Sequence, residues 1–221
     1  MKSVAVHAYS TRASGLFGLM VLALVTACAP LQPPPRATVY DFGPGPLAPE
    51  PATRQAPQPP LVLAEVEASA ALDSTAVLYR LAYSDAQQLR PYAQARWSMA
   101  PAQLLRQRLR EQLGQRRAVL NATQGVVVPP PALTLHLELE EFSQLFETPE
   151  RSNALLRLRA TLGQNGNGSE RLVAQRSFVL QRPAPTADAA GGVRALTAAT
   201  DAVIQEMVPW LEQVETAQGV K

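Results

Sequence analysis

Between Leu133 and Glu140 the chain reads Leu-Thr-Leu-His-Leu-Glu-Leu-Glu, apolar and polar residues alternating without a break. Side chains of an extended strand point to opposite faces in turn. This run therefore predicts a strand with Leu133, Leu135, Leu137 and Leu139 inward and Thr134, His136, Glu138 and Glu140 outward. Further strands are predicted at Leu61–Ala68, Ala76–Tyr83, Pro91–Ser98, Asn153–Leu162 and Arg171–Gln181. The last two are joined by Gly163-Gln-Asn-Gly-Asn-Gly-Ser169, a run rich in residues that tolerate positive φ, as a hairpin turn requires. Thr38-Val-Tyr-Asp-Phe42 is a strand-forming island among prolines, and it predicts a first strand.

Two stretches change to helical spacing. In Pro101–Leu113, Leu104, Leu105, Leu109 and Leu113 form one stripe. Pro101 suits the first turn and Gly114 a C-terminal stop. From Ala189 to Val214 the recurring positions are Val193, Leu196, Thr200, Val203, Ile204, Met207, Leu211 and Val214. Gly191 and Gly192 each cost about 1 kcal/mol in a helix, so the first turn is expected to fray or to start later. Pro209 lacks a backbone donor and predicts a kink or a break. The order β-β-β-β-α-β-β-β-α predicts an α+β fold, a two-layer sandwich of a largely antiparallel sheet and two amphipathic helices.

The N-terminal pattern is of another kind. Lys2 and Arg12 precede an uncharged apolar run, Gly15 to Val25, which ends in Val25-Thr-Ala-Cys28. This resembles the lipobox of bacterial lipoproteins, in which the cysteine thiol is diacylated and the signal is cleaved just before it. The apolar run is shorter than the roughly 20 residues that span a bilayer. The expected division is a signal peptide at 1–27, lipidated Cys28 with a proline-rich tether at 28–38, and one domain at 39–217. A proline-rich loop at 44–60 interrupts that domain. Ala29 stands where an aspartate often marks inner-membrane retention, so the expected location is the periplasmic face of the outer membrane. Cys28 is also the only cysteine, so the domain rests on its core without an internal disulfide.

Removal of the signal changes the charge. Without Lys2 and Arg12, 18 of the 20 basic residues remain against 18 acidic ones. A neutral mature chain gives no electrostatic case for nucleic acid. Arg106, Arg108, Arg110, Arg116 and Arg117 look like a basic patch, with a solvated face as the plainer reading. His136 is the one histidine left after cleavage, and it is expected to be exposed on its strand. Glu138, Glu140 and Glu141 raise the idea of paired carboxylates, but the first two are same-face strand neighbours. No Gly-rich phosphate loop or Cys/His set with metal spacing is present. No catalytic residue, metal or cofactor is therefore expected.

Three segments carry a family resemblance: Tyr40-Asp-Phe-Gly-Pro44, Ala76-Val-Leu-Tyr-Arg80, and Arg90-Pro-Tyr-Ala-Gln-Ala-Arg-Trp97 running into Pro101-Ala-Gln-Leu-Leu105. Together they resemble the ABC-type transport auxiliary lipoprotein family, which includes paraquat-inducible protein C. The resemblance implies an accessory subunit of an envelope lipid transport system, working with an MCE-domain substrate-binding protein, a permease and an ATPase. Tyr79, Tyr92 and Trp97 read as core or sheet-face aromatics. The sharper idea is that Tyr92 and Trp97 grip a partner or lipid. A weak interface is expected, with homo-oligomerisation as one way to strengthen it. The competing function is an outer-membrane assembly or structural lipoprotein that binds a β-barrel or an envelope polymer.

Overall fold

The computed structural model describes residues 36–45, 58–121, 132–166 and 169–219. The predicted signal, Cys28 and most of the Pro44–Pro60 loop lie outside these residues. The strands are β1 (Thr38–Tyr40), β2 (Leu61–Ala68), β3 (Ala76–Leu81), β4 (Asp85–Trp97), β5 (Val119–Asn121), β6 (Ala132–Thr148), β7 (Arg151–Asn165) and β8 (Glu170–Pro183). The helices are α1 (Pro101–Leu113), between β4 and β5, and α2 (Ala189–Ala217), after β8.

The long strand β6 organises the sheet. Its whole length pairs antiparallel with β7, and β7 pairs antiparallel with β8. The other edge of β6 is shared: β2 takes Leu133–Leu139, and β3 takes Gln144–Phe146. The sheet forks there, one branch continuing to β5 and the other through β4 to β1. The α+β class holds, but the sheet is mixed rather than largely antiparallel. β1·β4, β2·β5, β2·β6 and β3·β6 are all parallel. Parallel neighbours need a connection that brings the chain back to its starting end, and β3, β4, α1 and β5 all lie in the chain between β2 and β6.

The predicted leucine face forms. Leu133, Leu135, Leu137 and Leu139 are buried, and so are their β7 neighbours Ala154, Leu156, Leu158, Ala160 and Leu162. α1 packs on β2, α2 packs on β6, β7 and β8, and the helices touch each other. A core of Leu104, Leu105 and Leu109 from α1 with Leu196, Val203, Met207 and Leu211 from α2 results.

β6 runs eight residues past its predicted end because of Glu140. The register passes from Leu139↔Leu158 directly to Glu141↔Arg157, leaving Glu140 as an extra residue. Such a bulge shifts the alternation by one, so the inward positions become Phe142, Gln144 and Phe146. β4 likewise starts at Asp85 rather than Pro91, and β5 adds a short strand that the pattern does not predict.

α2 starts at Ala189 and includes both glycines, which are buried. A Cβ on Gly192 would come within 2.0 Å of the Gln144 side-chain oxygen, so the missing side chain lets the helix approach β6. Close packing thus overrides the propensity cost that predicted a late start. Pro209 lies on the exposed side, and the helix continues through it to Ala217 without a break.

Asp188 caps α2, its carboxylate accepting from Gly191 N at 2.7 Å. That bond, then the one from Thr186, holds the Asp188 carboxyl below its ordinary range. A depressed folded-state pKa contributes stability above the unfolded value and loses it as pH falls. Asp188→Ala is expected to cost about 1 kcal/mol at neutral pH. In denaturant titrations the gap from wild type should shrink in acid, and a pH-independent gap would contradict the cap.

Candidate functional site

The domain begins at β1, which pairs parallel with the end of β4, Tyr40 opposite Trp97. Ser98 N donates to Tyr40 O at 2.7 Å and extends the attachment. The chain then turns: the Asp41 carboxylate accepts from Gly43 N at 2.7 Å, and Gly43 and Gly45 have φ of 65° and 71°. Both are in the left-handed region that glycine enters without penalty.

Arg108 of α1 holds this turn from inside. Its side chain is 3% exposed, and its Nη2 donates to the carbonyl oxygens of Phe42 and Gly43. Its Nε lies 3.3 Å from Asp201 Oδ1 of α2, and Nη1 lies 3.9 Å from Glu111 Oε2. One guanidinium therefore ties the first turn of the domain to both helices. A Cβ on Gly45 would lie 1.9 Å from Arg108 Nη1, so a larger residue there would displace the guanidinium from its place. Burial pushes the Asp201 carboxyl up, and Arg108 opposes that shift.

Phe42 completes the junction. Its ring meets Trp97 edge-on, with centroids 5.5 Å apart at 87°, and Phe142 lies 6.1 Å from Phe42 and 5.7 Å from Trp97. Edge-to-face aromatic pairs at these distances are favourable beyond the area they bury. A cleft of about 240 Å³ adjoins the turn, lined by Asp41, Phe42, Gly43, Ser98, Met99, Leu104, Gln107, Arg108 and Glu111. The Arg108 cation beside it is paired with Asp201 and Glu111 and donates to two backbone carbonyls, so it fastens the start of the domain to the helices.

The two aromatics singled out in the sequence are not brought together. Trp97 is 2% exposed and part of the core, which fits the plainer reading and leaves it no surface for a partner. Tyr92 is half-buried at the rim, its ring centroid 4.6 Å from that of Tyr79, while Phe146 meets Tyr79 at 6.0 Å. The Tyr92 hydroxyl donates to Gln144 Oε1 at 2.9 Å, and Gln144 Nε2 donates to Ser152 Oγ at 2.7 Å. Burial, with Tyr79 and Asp188 nearby, pushes Tyr92 above the usual tyrosine range, so it stays a neutral donor.

The five arginines form neither a patch nor a solvated face. Only Arg110 is exposed. Arg106 reaches Glu65 at 3.1 Å and the Ala64 carbonyl at 3.2 Å on β2. Arg116 pairs with Glu212. Arg117, 1% exposed, places Nη2 2.8 Å from Glu215 Oε2 and Nε 2.9 Å from Gln58 Oε1. Apart from Glu111, three residues from Arg108, their carboxylate partners lie far away in sequence, so spacing along α1 gives little sign of them.

His136 is partly exposed, with Nε2 2.9 Å from Glu170 Oε1. Glu138 and Glu140 both pair with Arg159, and Glu141 pairs with Arg80 at 2.9 Å. The three carboxylates are thus cross-strand ion-pair partners. Among the described residues no helix is long and apolar enough to cross a membrane.

A family model described as ABC-type transport auxiliary lipoprotein component matches residues 40–208. Among solved structures, protein XCC0632 from Xanthomonas campestris superposes with a TM-score of 0.63 at 18% identity, over 83% of this chain and 100% of that one. The hypothetical protein CT253 from Chlamydia trachomatis gives 0.51 at 9% identity, over 72% and 99%. These likenesses show the fold. No curated protein sequence matches the chain.

Proposed function

The chain belongs to the family of ABC-type transport auxiliary lipoprotein components, and from that premise we propose that it is the outer-membrane accessory subunit of an MCE/ABC-type intermembrane lipid transport system. Membership makes it a lipoprotein associated with an ABC transport system, in a non-catalytic accessory role. The MCE-domain partner, the lipid cargo and the outer-membrane location are our reading. Lipid on Cys28 holds the protein to the periplasmic face. The proline-rich tether of residues 28–38, at about 3 Å per residue, gives roughly 30 Å of reach. The domain of residues 39–217 docks on the partner, and tethering raises effective concentration enough for a weak interface to suffice.

The observation that carries this reading is the family match from Tyr40 to Val208, which takes in the junction that Arg108 clamps. That clamp fixes the first turn of the domain to both helices. Tyr92, half-exposed at the rim, is our candidate contact to partner or lipid. Cys28→Ser removes the only acceptor thiol. We expect an uncleaved or unlipidated precursor on fractionation and loss of co-purification with the transporter. A variant that still matures, reaches the outer membrane and keeps the transporter would contradict the reading.

A further inference from the structure

The sheet ends very differently at its several edges. β1 and β5 cover only three residues each of β4 and β2, whereas β8 runs unbroken along the other side for fourteen residues. Among the described residues β8 pairs with β7 alone. Every second residue of such an edge turns its N–H and C=O away from the sheet, a template for another strand. Short edges are one common way to blunt this tendency, and β8 does not use it.

Side chains along β8 sort by face. Arg171, Arg176 and Arg182 stand opposite Gln164, Ala160 and Ala154 of β7, on the helix-bearing side of the sheet. All three are exposed, and none has a carboxylate partner among the described residues; Arg176 lies over the Phe178 ring at 4.7 Å. Leu172 and Val179 stand opposite Gly163 and Arg157 on the other side, 62% and 57% exposed. The one acid of the strand, Glu170, is taken by His136.

We propose that β8 is a docking edge for an acidic extended segment of a partner protein, which adds to the sheet as one more strand. Its composition follows the faces of β8. On the helix-bearing side acidic residues meet Arg171, Arg176 and Arg182, and apolar ones meet the edges of Phe178 and Leu180 between them. On the other side apolar residues meet Leu172 and Val179, which share that face with Gln175, Ser177 and Gln181. The same arginines discriminate against a second copy. Antiparallel pairing of two β8 strands about their centre sets Arg176 against Arg176, with Arg182 opposite Glu170, or Arg171 against Arg182, and each register carries a like-charge contact that an acidic strand avoids. Opposite charges directly across a ladder instead add to it.

The inference rests on the docking role proposed above and assigns it a surface. The test uses the full lipidated chain in detergent and three fluorescent peptides of about ten residues, an ordinary strand length. One alternates Glu and Val, one alternates Lys and Val, and one is the Glu/Val peptide with a central proline. The Glu/Val peptide should bind, more weakly as salt rises, while the other two bind at least about tenfold more weakly. Arg171→Glu, Arg176→Glu and Arg182→Glu together should reverse the preference toward the Lys/Val peptide.

Equal binding of the proline-interrupted peptide would mean simple charge attraction and overturn strand addition. Failure of the Glu/Val peptide to bind would also overturn it, as would dimers of the chain joined through β8. If the triple variant keeps its transporter in cells but the wild type binds no peptide, this inference fails and the accessory role stands.

Discussion

Glu215→Ala is expected to destabilise the domain by about 3–5 kcal/mol, the usual cost of stranding one half of a buried ion pair. Arg117 is the half left behind. Its guanidinium is 1% exposed, and without Glu215 its remaining side-chain partner is the neutral Gln58 oxygen. The pair fastens the segment after α1 to the last turns of α2. A loss of this size is a large share of the roughly 5–15 kcal/mol that holds a typical domain. Arg117→Met combined with Glu215→Leu removes both charges and their desolvation costs together. The double variant should recover most of the loss. Urea unfolding of the chain starting after Cys28, compared by midpoint at constant slope, measures both. A double variant as unstable as Glu215→Ala would show that the uncompensated charge is not the cause.

Leu135→Ala is expected to cost about 2–5 kcal/mol, because the side chain has no exposure and its removal leaves a cavity between sheet and helices. Its neighbour provides the control. His136 points the other way, 44% exposed, and its contact with Glu170 is a surface pair, so His136→Ala should cost at most about 1 kcal/mol. Comparable losses at the two positions would overturn the assignment of faces on β6.

These two predictions differ in how much of them the sequence reveals. The burial of Leu135 and the exposure of His136 follow from alternation alone, because a strand has only two faces. The continuation of β6 to Thr148 does not. Glu140 bulges out, and beyond it the inward residues occupy even positions rather than odd, so the period is broken where the strand is not. Parallel pairing is similarly hidden, since a strand's own residues do not record the direction of its neighbour. The glycines of α2 mislead for a related reason: their propensity is local, while the Gln144 oxygen that excludes a side chain comes from another element.

The junction was only half legible. Tyr40-Asp-Phe-Gly-Pro44 stands out in the sequence, and its glycines hint at a turn. Arg108 looks like any other charge on an arginine-rich helix until the fold places Phe42, Gly43 and Asp201 around it. The available signal was its position: it adjoins Leu109 and stands four residues after Leu104, on the buried face that runs from Pro101 to Leu113. Trp97 and Tyr92 lie five residues apart on β4, yet one is sealed in the core and the other sits at the rim. Alternation alone puts positions five apart on opposite faces, and the register shift of β4 against β3 between Arg96 and Pro91 breaks that count.

The central claim is that a lipid-anchored domain works by docking on an ABC transport system through its MCE-domain protein. The direct measurement is crosslinking in intact cells with the full chain anchored at Cys28, followed by identification of the crosslinked partners. Anchor, tether and envelope geometry all stay in place, so an interface too weak for purification is still captured. The account predicts an MCE-domain protein among the partners, and its loss when Cys28 is replaced by serine. Recovery of only β-barrel or cell-wall partners, with no MCE-domain protein, would contradict it.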